Sequence, residues 1–296
     1  MQTLESLRGK IDTASDLRSV VKTMKTLAAV SIRQYERAVE ALTDYSRTVE
    51  LGFQIALRGQ PIRIEKRETR RRTGAIVFGT DQGMCGQFNE RIASAVPAVQ
   101  DVDCGSWKLV AVGARVEGHL QDAGHSLEQT YPIPTSVSEI TDLVQELLLR
   151  VERWQEESDV SRLLVFFNTR TSGASYQPQQ LQLLPIDRER FRRWSQQPWQ
   201  SCSLPMFTME RRRLLSCIVR QYLFVSLFRA CAESLSSENA SRITAMQAAE
   251  KSIEQRLDDL RSSFNQLRQS AITEELLDVV SGFEALSKQR SRKSSK

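Results

Sequence analysis

The residues whose types and spacing could do chemistry lie mainly in one glycine-rich loop, Gly79–Asn89. It follows a short apolar run and precedes a helical pattern, with the sequence Gly-Thr-Asp-Gln-Gly-Met-Cys-Gly-Gln-Phe-Asn. A loop in this position can hold a phosphate, because the free N–H groups at the start of a helix attract anions. It lacks the Gly-Lys-Ser/Thr of a Walker loop and the GxGxxG of a dinucleotide site. We interpret it as a tight turn that packs the helix against a sheet, and keep a nucleotide-binding α/β enzyme as the alternative.

The other reactive residues form no recognisable site. The two histidines, His119 and His125, lack the acidic neighbours that would complete a set of metal ligands, and neither lies near a nucleophile elbow. Cys85 could have a lowered pKa at a helix start, but we favour a packed small side chain. We therefore expect no catalytic residue, no metal and no cofactor in this chain.

The elements that would position these residues are dominated by a long C-terminal helix, predicted over 206–286. Its stretch has no proline after Pro205 and a single glycine, Gly282. An unbroken helix of that length would extend about 120 Å, far more than a globular domain needs. Its apolar residues recur at spacings of three and four, as in helices that coil around a partner. These residues are Ile243, Met246, Ala249, Ile253, Leu257, Leu260, Phe264, Leu267 and Ala271.

The partner helix is predicted at the other end of the chain, over 1–57. Apolar or small residues recur there with a mean step close to 3.5 residues, the period of a left-handed coiled coil. They are Leu7, Ile11, Ala14, Leu17, Val21, Met24, Ala28, Ile32, Tyr35, Val39, Leu42, Tyr45 and Val49. We predict one long antiparallel two-helix coiled coil, with a basic linker at 58–73 and a basic tail at 287–296.

The middle of the chain predicts a small central open α/β (Rossmann-like) domain over 74–200. Short apolar runs predict strands at Gly74–Gly79, Trp107–Gly113 and Arg162–Asn168, with a further strand at Gln180–Leu184. Helical patterns occupy Phe88–Val99, Ala114–Asp122 and Ser136–Glu157. The last of these opens with a capping box, in which Ser136 and Glu139 each bond the backbone near the other. Alternating strands and helices at this spacing are typical of an open α/β sheet.

Composition bounds the class of protein. The chain is 40% hydrophobic and 26% charged, which is typical of an ordered protein. Five scattered cysteines without CxxC spacing indicate reduced thiols in a cytosolic setting. We recognise no apolar run of about twenty residues and no signal-peptide core in Met1–Lys10, so we expect a soluble protein that is not exported by that route.

The net charge of +5 is concentrated in two basic clusters, at 63–72 and 288–296. Such clusters can bind phosphates or acidic surfaces, although solvated linkers are the more common outcome. Aromatic residues are not interleaved with them, so we expect no nucleic-acid partner. A coiled-coil scaffold that binds nucleic acid remains a third hypothesis, because the rod itself fits it.

Several segments resemble the gamma subunit of rotary (F-type) ATP synthases. The loop at 79–86, the run Ser237–Met246 (Ser-Glu-Asn-Ala-Ser-Arg-Ile-Thr-Ala-Met) and the stretch Asn265–Leu276 are similar to that family's signature segments. Lys22–Ala29 resembles its N-terminal segment. The resemblance covers both ends and the middle, and hardly extends to 60–72 or 191–208.

The resemblance implies a non-catalytic central shaft. In that family the two-helix rod lies inside a ring of three alpha and three beta subunits, and the catalytic nucleotide sites are on beta. The α/β domain protrudes toward the membrane rotor, so the epsilon subunit and the c-ring are implied partners. We accordingly expect a peripheral protein at the cytoplasmic face of a prokaryotic plasma or thylakoid membrane, with membrane contact only through the complex.

The resemblance also implies which residues contact the alpha/beta ring. Four polar residues of the last helix match positions by which the family's shaft contacts beta, and two N-terminal residues match the corresponding region of the other helix. After Ala271 the apolar stripe shifts around the helix, which would suit an apolar sleeve, with a frayed helix end as the alternative. The predicted partner-binding residues are Met24, Lys25, Arg268, Gln269, Thr273 and Glu275, with Ile272, Leu276, Val280 and Phe283 on the shifted stripe.

The chain departs from common members of the family in two respects. The closely spaced cysteine pair of the chloroplast redox switch is not visible, since Cys202 and Cys217 are far apart, so we predict no such regulation. The segment Ser31–Leu42 is similar to the divergent alternate synthases, some of which translocate sodium. The coupling ion, proton or sodium, and the direction of the reaction stay open.

Overall fold

The computed structural model describes residues 3–58, 72–97, 107–158, 160–171, 175–196, 199, 202–203 and 205–293, the last of these as backbone only from residue 282. The chain divides into two compact units. We call Met1–Thr26 together with Met246–Lys296 the helical unit, and Leu27–Ala245 the sheet unit. The predicted linker at 58–73 lies almost wholly outside the described residues.

The described secondary structure comprises six helices and five strands. In chain order they are α1 Leu4–Leu57, β1 Arg72–Phe78, α2 Phe88–Ala95, β2 Trp107–Val112, α3 Ala114–Asp122, β3 Gln129–Tyr131, α4 Val137–Glu157, β4 Val160–Arg170, β5 Tyr176–Leu184, α5 Arg188–Gln196 and α6 Arg211–Lys293.

The sheet confirms the predicted open α/β domain. Its strand order is β3-β2-β1-β4-β5, with β1, β2, β3 and β4 parallel and β5 antiparallel to β4. Both faces are covered, which is why the central strands are almost continuously apolar. One face packs its alternate residues, such as Val77 and Phe166, against α2 and α3, and the other packs Ile76 and Phe78 with α1, α4 and α6.

The N-terminus of α4 confirms the predicted capping box. The Ser136 hydroxyl accepts a hydrogen bond from the backbone N–H of Glu139 at 3.4 Å. In return the Glu139 carboxylate accepts from the N–H of Thr135 at 2.8 Å, one residue earlier than the standard pattern. The hydrogen bonds from Thr135 lower the pKa of Glu139 below its ordinary value.

Several predicted boundaries were wrong. Helix α2 ends at Ala95 rather than Val99, because Val96 precedes a proline and is extended, with ψ of 122°. Helix α6 begins at Arg211 rather than Met206 and continues to Lys293, through most of the predicted tail. The absence of proline and glycine permits a helix but does not locate its first turn.

Two elements of the sheet unit were not predicted. The short β3 pairs with β2 at the edge of the sheet. Helix α5 is held by an aromatic cluster in which Trp194 stacks on Phe53 of α1 with ring centroids 4.5 Å apart. Tyr222 of α6 meets both rings edge-on. The cluster explains why a short, mostly polar segment is helical, since its two apolar residues are buried together.

The long N- and C-terminal helices pack against each other, as predicted. In the helical unit Leu7, Met246 and Leu257 are buried. The contact between the two helices ends near Phe264, which is half-buried. Four residues of the predicted coiled-coil interface are exposed instead of buried, namely Leu17, Tyr45, Leu267 and Ala271.

One helical stretch, Arg211–Ser281, contains a window long and apolar enough to cross a membrane by length and composition alone. Its most apolar residues include Leu223, Leu227 and Phe228, which are buried in the core of the sheet unit. The expectation from the sequence that no stretch of the chain is apolar enough to span a membrane was therefore wrong, and 39% of this window is buried within the structure.

Candidate functional site

The glycine-rich loop uses its polar groups within the fold. The N–H of Thr80 donates to Asn89 Oδ1 at 3.0 Å, and Asn89 Nδ2 donates back to Thr80 Oγ1 at 2.8 Å. The Asp81 carboxylate accepts from the N–H of Ala114 at 2.7 Å and of Ile133 at 2.8 Å. These bonds tie β1, α2, α3 and the segment after β3 together at the carboxyl edge of the sheet.

Glycines in and beside the loop allow close packing. A Cβ on Gly79 would lie 2.3 Å from Val116 Cβ, inside van der Waals contact. Gly113, with φ of +115°, would place a Cβ 2.7 Å from the backbone nitrogen of Thr80. Both positions therefore require glycine, and the geometry agrees with a tight packing turn rather than a phosphate cradle.

The loop also contacts α6. The Ser241 hydroxyl donates to the carbonyl oxygen of Cys85 at 2.6 Å. Cys85 itself is buried, and burial raises the pKa of its thiol, so it is not an activated nucleophile. Two of the segments that carried the family resemblance, the loop and the run beginning at Ser237, are thus packed together in the sheet unit.

The histidines are placed apart from any candidate site. His119 is exposed on α3, whereas His125 follows α3 and is buried, which lowers its pKa. The backbone N–H of His125 donates to Leu120 O at 2.9 Å. Among the described residues, no group of His, Cys, Asp and Glu is arranged to bind a metal.

Two ion pairs define how the helices of the helical unit align. Arg18 pairs with Glu254 at 2.7 Å, and Lys25 pairs with Glu250. In an antiparallel helix pair the numbers of two facing residues add to a nearly constant sum. That sum is 272 for Arg18 with Glu254 and 275 for Lys25 with Glu250, so Leu4 lies opposite residues 268–271. Within the described helical unit, α6 therefore continues past the end of α1.

The part of α6 from Gln266 to Ser281, which we call the terminal segment, is exposed at every residue. Ile272, Leu276, Val279 and Val280 are 46%, 61%, 66% and 55% exposed. Their spacing of i, i+4, i+7 and i+8 gives one apolar face. The opposite face carries Glu274, Asp278 and Ser281 at i, i+4 and i+7.

The predicted partner-binding residues separate into two groups in the structure. Seven of them lie on the terminal segment and are exposed, namely Arg268, Gln269, Ile272, Thr273, Glu275, Leu276 and Val280. Met24 and Lys25 lie about 27 Å away along the helix axis, because Lys25 pairs with Glu250. The side chain of Phe283 lies outside the described residues.

Some features of this surface could not be predicted from the sequence. Leu277, 62% exposed, widens the apolar face and was not selected. Nothing in the sequence identified Glu250 as the ion-pair partner of Lys25. The hydrogen bond from Lys25 holds the pKa of Glu250 below its ordinary value. A charge pattern compared across the two helices could have found both ion pairs once their register was known.

Comparison with known proteins decides the family. The family model described as ATP synthase matches residues 3–286. The ATP synthase gamma chain of Acaryochloris marina is 28% identical over 321 aligned positions, covering 97% of this chain and 100% of the relative. The chain belongs to the ATP synthase gamma family.

Solved structures share the fold of this gamma subunit. The rotor of the Euglena gracilis mitochondrial ATP synthase matches with a TM-score of 0.64 at 14% identity, covering 91% of this chain and 98% of that one. The central stalk and c-ring structure from Tetrahymena thermophila mitochondria matches with a TM-score of 0.57 at 17% identity, covering 78% and 99%. The solved structures thus show the fold, and the family resemblance seen in the sequence is confirmed by the family model and the Acaryochloris marina relative.

Proposed function

We propose that this gamma subunit, the central rotor stalk of an F-type ATP synthase, couples rotation to ATP chemistry through the terminal segment of α6. The observation that supports the proposal is the apolar face of Ile272, Leu276, Val279 and Val280, exposed where α1 has ended. A continuous exposed apolar face normally marks a binding surface. The occupant we propose is the inner wall of the alpha/beta ring.

The coupling follows from symmetry. A single rod with one apolar and one acidic face cannot contact three equivalent neighbours in the same way. At each angle it stabilises a different conformation in each of them, and by linkage their nucleotide state biases the angle in return. The chain then needs no catalytic residue of its own, and the contacts within its glycine-rich loop support a non-catalytic role.

The individual contacts have different characters. Ile272, Leu276, Val280 and Phe283 would line the sleeve, while Arg268, Gln269, Thr273 and Glu275 would bond polar groups of beta. Thr273 already donates to Gln269 O at 2.8 Å, so its hydroxyl can still accept from a partner. Met24 and Lys25 would form a second contact, in which Lys25 exchanges Glu250 for a ring carboxylate.

The sheet unit would provide the membrane-proximal contacts, with the epsilon subunit and the c-ring as partners. This assignment rests on two similar structures, one of a central stalk with a c-ring from Tetrahymena thermophila and one of an F1 with a c-ring from Euglena gracilis. The complex is membrane-associated. We propose the cytoplasmic face of a prokaryotic membrane, with sodium or proton as the coupling ion.

Truncation after Gln266 tests the proposal in the complex reconstituted into vesicles. The truncated chain loses all of the terminal segment except Gln266 and keeps both ion pairs between α1 and α6. We expect the ring to assemble and hydrolyse ATP, while the ions pumped per ATP hydrolysed fall sharply. Normal pumping per ATP by the truncated complex would refute the assignment.

A double variant distinguishes loss of the apolar contacts from loss of helix length. Leu276→Asp with Val280→Asp keeps the helix but charges its apolar face, so we expect the same loss of pumping per ATP. Leu149→Asp is the matched control, since Leu149 is also an exposed helical leucine, at 48%, on α4 of the sheet unit. It should leave hydrolysis and pumping unchanged.

A further inference from the structure

The run Ser234–Ser241 of α6, which we call the polar segment, is buried although most of its residues are polar. Ser234, Ser237 and Glu238 are 3%, 0% and 5% exposed. Buried polar groups nearly always have hydrogen-bond partners, because desolvation without one costs about 1–3 kcal/mol. Each unpartnered group in this segment therefore needs a physical explanation.

Four oxygens of the polar segment have no hydrogen-bond partner among the described residues. Ser236 Oγ is one of them, and the three that share a face of α6 are Ser234 Oγ, Ser237 Oγ and Glu238 Oε2. The other carboxylate oxygen of Glu238 accepts from Arg242 one turn along the helix. Arg242 therefore satisfies one side of the carboxylate and leaves the second oxygen directed elsewhere.

These serines differ from hydroxyl residues elsewhere in the helices. Thr48 donates to Asp44 O at 2.9 Å and Ser94 to Glu90 O at 2.8 Å, each to the carbonyl four residues earlier. That bond is the ordinary way for a helical hydroxyl to be satisfied. Ser234 and Ser237 make no such bond, so both buried hydroxyls are left without a partner among the described residues.

Helix geometry brings the three oxygens together. Residues at i, i+3 and i+4 are neighbours on one face, with Cβ atoms about 5–6 Å apart. Ser234, Ser237 and Glu238 have this spacing. The same face continues to Ser241, which bonds Cys85 O of the glycine-rich loop, so the loop covers it.

We propose that Ser234, Ser237 and Glu238 form a buried water site between α6 and the glycine-rich loop. The two hydroxyls donate to one water oxygen, and that water donates to Glu238 Oε2. A buried water typically makes about three hydrogen bonds, which this set supplies. The site lies wholly in the sheet unit and is independent of the proposed ring contacts.

The charged groups around the site make water a better occupant than a cation. Arg242 of α6 already neutralises Glu238. Tyr35 of α1, Asp81 and Cys85 of the loop, and Cys231 of α6 lie near enough to interact electrostatically with the carboxylate. Burial raises the pKa of Glu238, so the carboxylate benefits from a donor that adds no charge.

Alanine substitutions in the full-length chain distinguish a hydrated site from a dry one by the sign of the change in Tm. If water bridges these groups, Ser237→Ala and Ser234→Ala each lower the Tm, by about 2–4 °C. The double variant should then cost less than the sum of the two, because both act through one water. Ser216→Ala, an exposed serine on the same helix, is the matched control and should leave the Tm unchanged.

A dry site gives the opposite result. Removing a hydroxyl that has no partner relieves its desolvation, so each variant would then raise the Tm or leave it unchanged. An experimental density map of the assembled complex provides the second test. We expect a water peak within hydrogen-bond distance of Ser237 Oγ and Glu238 Oε2, and a direct bond between protein groups in its place would overturn the proposal.

Discussion

Two parts of the same helix reverse the usual distribution of residues. The polar segment of α6 is buried, with Ser237 at 0% exposure, whereas the terminal segment exposes Leu276 at 61%. An isolated protein normally has the opposite arrangement. Under the proposed function, α6 is fitted to two surroundings, its own sheet unit around the polar segment and the alpha/beta ring around the terminal segment.

Each segment is exposed or buried for a structural reason that composition does not reveal. The polar segment is covered by its own sheet unit, where Leu235 lies in the core and Ser241 bonds the Cys85 carbonyl. The terminal segment is uncovered because α1 begins at Leu4. Exposure along α6 therefore depends on which neighbour is available at each turn, and each prediction below changes one neighbour.

The largest effect is expected from breaking the buried ion pair of the polar segment. Arg242 and Glu238 have side chains only 14% and 6% exposed. Arg242→Ala leaves a buried carboxylate without its cation, which should cost about 3–5 kcal/mol of unfolding free energy. Chemical denaturation of the purified chain measures this loss.

The rescue variant tests whether the charge is responsible. Glu238→Gln in the Arg242→Ala background removes the unpaired charge, so most of the lost stability should return. Arg261→Ala serves as the control, because its pairing with Asp258 is exposed and should contribute little. Failure of the rescue would mean that lost packing, not charge, dominates.

The next effect concerns the loop that covers the polar segment. Gly113→Ala would force a Cβ to within 2.7 Å of the Thr80 backbone at a φ of +115°. We expect a loss of about 3 kcal/mol in unfolding free energy, from strain and displacement of the loop. Gly118→Ala is matched to it, since Gly118 is helical with open space at its Cβ, and should stabilise by about 0.5–1 kcal/mol. Equal effects would show that the loop is not closely packed.

The sequence predicted most of the fold because the relevant signals were local. Apolar runs located β1, β2 and β4, and the spacing of Ser136 and Glu139 located the start of α4. Strand β3 and helix α5 escaped detection because each depends on distant partners, such as Phe53 stacked on Trp194.

The surfaces of α6 were harder to predict than its helical form. Ser234–Ser241 is rich in polar residues, yet it is buried because of tertiary contacts, among them Leu235 in the core and the bond from Ser241 to Cys85 O. Leu17 fits the coiled-coil period but is 53% exposed. Periodicity identifies a candidate face, whereas the position of the neighbouring helix determines whether that face is covered.

A smaller effect compares two leucines of α6 directly. Leu257 is 2% exposed in the helical unit, and Leu276 is 61% exposed in the terminal segment. Leu257→Ala should cost about 2 kcal/mol or more in the isolated chain, while Leu276→Ala should change stability by less than about 0.5 kcal/mol. Denaturant midpoints of both variants provide the measurement. A large loss for Leu276→Ala would mean that the terminal segment packs on the free chain.

The smallest effect, and the one most specific in sign, is a difference in pH dependence between two glutamates of α6. The hydrogen bond from Lys25 lowers the pKa of Glu250, so its stabilisation is present above the ordinary value near 4.5 and is lost as pH falls through the lowered pKa. Burial raises the pKa of Glu238, so its contribution is present at low pH and is lost as pH rises past that ordinary value.

Unfolding curves collected between pH 3 and pH 8 for Glu250→Gln and Glu238→Gln test these opposite signs. Relative to the natural chain, Glu250→Gln should be less stable at neutral pH and equally stable in acid. Glu238→Gln should gain in relative stability as the pH rises, because the amide is never ionised. Added salt should weaken only the first effect, since Lys25 and Glu250 lie near solvent and the Glu238 pair does not. Parallel pH profiles for the two variants would mean that both carboxylates experience similar surroundings, and the contrast between the buried and exposed parts of α6 would then fail at its charged residues.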